Sequence, residues 1–342
     1  MAFSKGPVSI DPAVFDPSSI SQETHDFNQK LMDIMQGAPK WWEVGAAKYR
    51  EMRFRGETPL PATTLLDSAE QTSIPSRDAG RSIPCRILRP TNGKSIEGVY
   101  MHIHGGGWVL QSEQSSDVVL QDLANTNGLL LFSVGYRLAP EHPFPAGPED
   151  CYDAAQWLVD NAESKLGAKL KYLGGESAGG HLSMLVMLHL AQSSEKNYSD
   201  FGFKGLILHF GAYDLSILPS AYNFKPPETL VLDKEIMDHY LDVFLPGKSL
   251  EQRRNPDVSP FYADLGKLRG QLPPALFTCG TSDVLMDDTI FMSAKYQMAG
   301  AETETLIVAG GCHGYCMYPK DTKGSQADVA MKKVEDFISR HK

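Results

Sequence analysis

The chain is short of positive charge, short of cysteine and without any long apolar run, and each shortage removes a class of function. Its 342 residues carry 32 Lys+Arg against 42 Asp+Glu, a formal net charge of −10 at pH 7. A negative overall field repels phosphate backbones and acidic lipid surfaces, so neither nucleic acid nor membrane is an expected partner. The five cysteines (Cys85, Cys151, Cys279, Cys312 and Cys316) are odd in number and lack CxxC spacing. That pattern suits a reduced intracellular chain better than a disulfide framework or a zinc site. Prolines and aspartates break up the first twenty residues, MAFSKGPVSIDPAVFDPSSI, which hold no signal-like apolar segment. The most apolar stretch, Leu182–Ala191, is ten residues long and contains His189, too short to span a bilayer. The C-terminal ISRHK matches no lipidation or retention signal. A soluble, cytoplasmic protein is expected, and with 42% hydrophobic and 22% charged residues it can bury a sizeable core.

No internal repeat or low-complexity tract is present. In residues 1–60, Ser19-Ile20-Ser21-Gln22 has the form of a capping box, followed by Phe27, Leu31, Ile34 and Met35 at helical spacing. Pro39 ends that helix, and a second is expected from Trp41-Trp42 towards Met52. From about residue 63, short β-like runs alternate with helices. The expected strands are 83–89, 98–103, 129–134, 170–173, 205–210, 275–279 and 303–308. Between them, helical patterning covers 117–125, 148–163, 178–191, 288–298 and 326–338. Several strand runs are apolar throughout, as parallel strands covered on both faces require. The fold class is therefore α/β, a mainly parallel sheet with helices on both sides. Residues 212–260 interrupt the alternation with a helical segment around 230–245. A core over 61–342 with a helical cap, built from 1–60 and about 212–255, is the expected organisation.

Gly175-Glu176-Ser177-Ala178-Gly179 follows a short strand and opens a helix, the setting of a nucleophile elbow. There the serine sits on a sharp turn that only small flanking residues allow, above a helix N-terminus that favours negative charge. The pattern alone is weak, and a glycine-rich strand–helix turn explains it equally well. His104-Gly105-Gly106-Gly107-Trp108, directly after the strand 98–103, strengthens it. Three consecutive glycines are entropically costly, but they free backbone N–H groups to point at a developing oxyanion. Histidine and acid should come from loops at the C-terminal ends of later strands. His313, in Gly310-Gly311-Cys312-His313-Gly314, and Asp283, in Gly280-Thr281-Ser282-Asp283, occupy those places, with Asp287 as the rival acid. His181 and His189, on the helix behind the serine, are expected to be packed or hydrogen-bonded.

These motifs resemble the hormone-sensitive-lipase family of α/β-hydrolase carboxylesterases. The resemblance covers about residues 98–320. It rests on HGGGW at 104–108, YRLAPEHPFPA at 136–146, GESAGG at 175–180, NPDVSPFYADL at 255–265, LPPALFTCGTSDVLMDD at 272–288 and CHGY at 312–315. It implies Ser177 as nucleophile, Asp283 as acid, His313 as base, and an oxyanion hole from the N–H groups of Gly106, Gly107 and Ala178. The family's helical cap, built from the N-terminus plus an insertion, matches the two segments set apart above. Where many members have Asp, this chain has Glu176, and Tyr315 stands where many have another aromatic residue. The expected function is serine-dependent hydrolysis of short to medium acyl esters. Trp41, Trp42 and Trp108 are candidate substrate contacts, and most other cap aromatics (Tyr49, Phe54, Tyr213, Tyr222, Phe224) are expected in the cap core. No metal or cofactor is implied; the partner is a small-molecule ester, with a homodimer left open. Two other readings use the same fold: an enzyme that transfers or eliminates the acyl group, and a non-catalytic receptor.

Overall fold

The structure is a computed structural model that describes residues 10–224 and 230–342; the outermost N-terminal residues and positions 225–229 of the expected insertion lie outside it. One eight-stranded sheet runs through the described residues. Its strands are β1 (Glu70–Pro75), β2 (Ser82–Leu88), β3 (Gly98–Ile103), β4 (Leu129–Val134), β5 (Leu170–Glu176), β6 (Gly205–His209), β7 (Ala275–Ser282) and β8 (Thr303–Cys312). Their spatial order is β1-β2-β4-β3-β5-β6-β7-β8; β2 pairs antiparallel with both β1 and β4, and all other neighbours pair parallel.

Every residue of β3 and β4 is buried, which explains their unbroken apolar sequence. Alternate side chains enter different layers, as the two-residue period of a strand dictates. Val99, Met101 and Ile103 join Leu130, Phe132 and Val134 in one core, shared with Leu158 and Leu182 from the helices Ala146–Leu166 and Ala178–Ala191. Tyr100, Leu129 and Leu131 join the other, against Leu120 and Leu123 of Asp117–Asn127 and Phe337 of Ala327–Arg340. Each such buried side chain contributes about 1.5–3 kcal/mol, so two packed layers make the sheet a rigid support. Because β3, β5, β7 and β8 run parallel, the loops bearing His104–Trp108, Ser177, Asp283 and His313 all leave the same edge of the sheet.

Several local features depart from expectation. β1 was not foreseen; it is a polar edge strand with only Ile74 buried. β5 continues to Glu176 and β8 to Cys312, so each strand carries its reactive loop directly. The first helix, Gln22–Met35, is capped by Ser21, whose Oγ accepts the Thr24 N–H at 3.2 Å. Ser19 instead closes the preceding 3-10 turn, donating to the Ala13 carbonyl. The segment after Trp41 forms two helices, Trp41–Val44 and Ala46–Phe54, broken at Gly45 with φ 88°.

The two expected cap segments touch. Trp41 stacks on Tyr240 at 5.3 Å and Trp42 on His239 at 4.1 Å, both partners lying on the helix Lys234–Phe244. Arg50 pins the N-terminal segment to the glycine loop's neighbourhood, donating to the carbonyl of Val109 and to Glu141. The first helix has a different seat. It packs beside β8, where Asn28 donates to the Gly310 carbonyl at 2.8 Å.

Candidate active site

Ser177 holds φ 55° and ψ −117°, a conformation that side chains rarely adopt, at the junction of β5 and the helix Ala178–Ala191. Its N–H donates to the His209 carbonyl, and its own carbonyl accepts from His181 N–H. The turn needs glycine on both sides, because a Cβ at Gly175 or Gly179 would be driven into the Ile103 carbonyl oxygen. The serine hydroxyl therefore stands at the mouth of the turn, held by backbone on both sides.

His313 and Asp283 complete a relay with it. His313 Nε2 lies 3.0 Å from Ser177 Oγ, and His313 Nδ1 lies 2.9 Å from Asp283 Oδ2. The Asp283 side chain is fully buried, and its other oxygen accepts the Leu285 N–H at 2.9 Å. A buried carboxylate on Nδ1 fixes the tautomer with Nδ1–H and leaves Nε2 free to accept the serine proton. Asp287 is elsewhere: its Oδ2 accepts the Ser220 N–H. Asp288 accepts from the N–H groups of Tyr213 and Asp214. Of the two rival acids, Asp283 is the one that reaches the histidine. Cys312, beside His313 in the chain, is no competing nucleophile, because burial and then the nearby Asp283 charge push its thiol up to about 12.

The glycine loop faces the serine. Gly106 has φ 97°, and a Cβ there would enter the Leu110 carbonyl, so the loop shape requires glycine. The N–H groups of Gly106, Gly107 and Ala178 meet no acceptor among the described residues, and Gly106 and Gly107 line the same cavity as Ser177 and His313. Gly105 is tied down instead, its N–H donating to Glu176 Oε1 at 2.8 Å. Glu176 Oε2 accepts from His102 Nε2 at 2.9 Å, while His102 Nδ1 meets Ser133 Oγ at 3.0 Å. Burial works to raise the Glu176 carboxyl, but His102 and the Gly105 N–H outweigh it and hold the group below its ordinary value. His102 and His104 thus have structural work: His102 pairs with Glu176, and His104 stacks on Tyr136 at 4.2 Å.

The cavity above Ser177 has a volume of about 890 Å³. Of the aromatics singled out in the sequence, Trp41, Trp42 and Tyr49 line it. Trp108 does not. Its ring is buried against Phe244 at 4.6 Å, and its indole N–H donates to His181 Nδ1 at 3.1 Å. The backbone turn at Trp108 (φ 61°) aims the ring into the core, away from the glycine N–H groups. His181 donates its Nε2–H to the Val258 carbonyl at 2.8 Å, and burial lowers the ring to about 4; it is packed and hydrogen-bonded, as the sequence suggested. His189 stacks on Tyr152 at 4.1 Å. Tyr213 belongs to the main core against Phe277, and Phe54 and Tyr222 are exposed, so these three are not cap core. Sequence reasoning missed Arg53, Phe210, Tyr240 and Tyr318, all on the cavity wall. Only folding brings them together, and no local motif marks them.

Residues 100–317 match the sequence profile of an α/β-hydrolase fold family. Carboxylesterase NlhH of Mycobacterium tuberculosis is 31% identical over 281 residues, covering 80% of this chain and 82% of that protein. Among solved structures, a hyperthermophilic esterase from Pyrobaculum calidifontis superposes with a TM-score of 0.76 at 26% identity, covering 94% of this chain and 98% of the other. A hormone-sensitive lipase from a metagenome library does so at 0.73 and 26% identity, covering 95% of this chain and 100% of its own. No helix among the described residues is long and apolar enough to cross a membrane. With its elbow and glycine loop on this sheet, the chain belongs to the hormone-sensitive-lipase-like carboxylesterases of the α/β-hydrolase family.

Proposed function

We propose that the protein hydrolyses carboxylic esters through an acyl-enzyme on Ser177, and the continuous relay Ser177–His313–Asp283 is the observation that carries this reading. Ser177 Oγ attacks the ester carbonyl as His313 Nε2 takes its proton. Asp283 holds the imidazole in register and stabilises the imidazolium. The carbonyl oxygen, now an anion, is held by the N–H groups of Gly106, Gly107 and Ala178, which have no other acceptor among the described residues. The tetrahedral intermediate collapses, His313 returns the proton to the departing alkoxide, and the alcohol leaves. Water, deprotonated by the same imidazole, then attacks the acyl-enzyme and releases the carboxylic acid, restoring Ser177.

A receptor would have no use for a serine hydroxyl 3.0 Å from a carboxylate-braced imidazole, which favours the enzyme reading. Aromatic walls from Trp41, Trp42 and Tyr240 enclose the cavity rather than presenting a flat lipid face, which supports soluble esters with acyl chains of roughly two to eight carbons. A cytoplasmic setting is supported by the five cysteines, all buried as free thiols. The test is a panel of p-nitrophenyl esters from acetate to palmitate, with products analysed in water and in added alcohol. A kcat/KM maximum at short or medium chains, with free acid as the product, supports the proposal. A preference for emulsified long-chain esters, or a product that is mostly transesterified at low alcohol, contradicts it.

A further inference from the structure

One part of the cavity wall carries an unanswered charge. Arg53, on the helix Ala46–Phe54, lines the same cavity as Ser177 and His313. Its Nη1 is sealed from solvent and has no hydrogen-bond partner among the described residues. The neighbouring arginines on that segment are both paired, Arg50 with Glu141 and Arg55 with Glu51. Four carboxylates also line the cavity, and each is engaged away from Arg53. Asp33 accepts from Gln29, Asp233 caps the helix Lys234–Phe244, Glu235 meets Lys40 at 3.4 Å, and Glu176 holds His102 and Gly105.

Three phenols share this cavity wall with Arg53: Tyr49, Tyr240 and Tyr318. Burial pushes each phenol upward, so all three keep their O–H at neutral pH. None of these hydroxyls bonds to another described residue. Desolvation likewise works against the Arg53 charge, but arginine does not shed its proton in proteins. A partly buried guanidinium without a counter-ion among the described residues is costly, and a carboxylate arriving with a ligand lowers that cost through charge-assisted hydrogen bonds to the guanidinium nitrogens other than the sealed Nη1. The position is specific too. The ring of Tyr240 lies directly against Gly107, leaving no room for a side chain there. Tyr240 thus joins the wall that carries Arg53 to the glycine loop beside Ser177.

We propose that Arg53, with the hydroxyls of Tyr49, Tyr240 and Tyr318, forms an anion subsite that selects esters carrying a carboxylate at the far end of the acyl chain, that is, half-esters of dicarboxylic acids. The proposal rests on ester hydrolysis at Ser177 and names the substrate class of that site. The chain's net charge of −10 offers no general attraction for anions, so the preference is local to this wall.

The experiment compares kcat/KM for p-nitrophenyl half-esters, from malonate to suberate, with neutral p-nitrophenyl esters of matching chain length. The unmodified protein should favour the anionic ester at its best length by at least about tenfold, chiefly through KM. Free dicarboxylate of that length should inhibit competitively where the matching monocarboxylate does not. Arg53→Met should bring the anionic-to-neutral ratio down to about one, and Arg53→Lys should keep part of it, since an ammonium supplies the charge without the fork. A ratio at or below one across the whole series in the unmodified protein overturns the proposal, and so does a ratio that Arg53→Met leaves intact. If Arg53→Met does not fold, the ratio and the inhibition in the unmodified protein decide the matter. Neutral esters cleaved without anion preference refute the subsite alone. No cleavage of either class removes the esterase reading as well.

Discussion

Removing the Glu176 carboxylate should damage catalysis without touching any reacting atom. Two contacts make this side chain a brace: Oε1 holds the Gly105 N–H at 2.8 Å and Oε2 holds His102 Nε2 at 2.9 Å. Gly105 is the residue immediately before the two glycines whose N–H groups are proposed to hold the oxyanion, so its position sets theirs. In Glu176→Ala the Gly105 N–H and His102 both lose their partner in a buried place, at about 1–3 kcal/mol for each orphaned group. The loop then relaxes to find other partners, and misplacing one oxyanion donor costs about 10²–10³-fold in kcat. Glu176→Gln is gentler. Its amide oxygen still accepts from Gly105, and its NH₂ can donate to His102 Nε2 if that ring moves its proton to Nδ1 and donates to Ser133 Oγ. A loss of about tenfold is expected there. Since the interaction matters only as the oxyanion forms, both losses should fall on kcat with KM little changed. Steady-state kinetics on a neutral p-nitrophenyl ester, with circular dichroism to confirm folding, measures this. A folded Glu176→Ala protein that keeps kcat within threefold, or whose loss lies entirely in KM, would refute the bracing role.

Further expectations follow from the same geometry. Asp283→Asn should lower kcat by up to about 10⁴-fold near neutral pH, because an amide facing Nδ1 favours the wrong tautomer, while Asp287→Asn, on the Ser220 N–H, should cost no more than about tenfold. Reversal of those two losses would exchange the acids. Gly106→Val must leave φ 97° and displace the Leu110 carbonyl, so kcat should fall about 10²-fold or more; near-normal activity in a folded variant contradicts the loop's role. Burial holds His104, His181 and His209 at about 4, so each is neutral in the fold and takes up a proton on unfolding below its ordinary value near 6.5. Stability is then full above about pH 6.5 and lost as pH falls towards 4, by up to about 1.4 kcal/mol per pH unit for each ring. Urea unfolding at pH 7, 6 and 5 reads this directly, and a flat profile would contradict it.

Much of the candidate site's geometry was legible in the sequence because its demands are local. A nucleophile elbow needs Gly175 and Gly179 around Ser177, and an oxyanion loop needs Gly106, so the demands of one turn are written within a few residues. His313 and Asp283 were legible for a topological reason: parallel strands deliver their following loops to one edge, so the residues after β7 and β8 had to face Ser177. What was not legible depends on distance. Arg53, Tyr240 and Tyr318 share a wall although the chain separates them by more than seventy residues at each step, and no periodicity records that. Trp108 misled because its place beside the glycines suggests the cavity, while a single positive φ turns its ring into the core. β1 escaped notice because an edge strand with one buried side chain carries no apolar pattern. The first helix shows a finer ambiguity: Ser19 and Ser21 both suit a cap, and the 3-10 turn before them claimed Ser19.

The central claim, that Ser177 is the nucleophile of an ester hydrolase, is tested most directly by covalent labelling with a fluorophosphonate. Its phosphonyl group traps a serine made nucleophilic by an imidazole and leaves ordinary serines untouched. The protein should take up one label per chain, located on Ser177 by peptide mass spectrometry, with hydrolysis lost in proportion to labelling. Ser177→Ala should neither label nor turn over ester, its kcat lower by at least about 10³-fold. A fully labelled protein that still hydrolyses esters, a label on another residue, or a Ser177→Ala variant with a tenth of the original turnover would contradict the account.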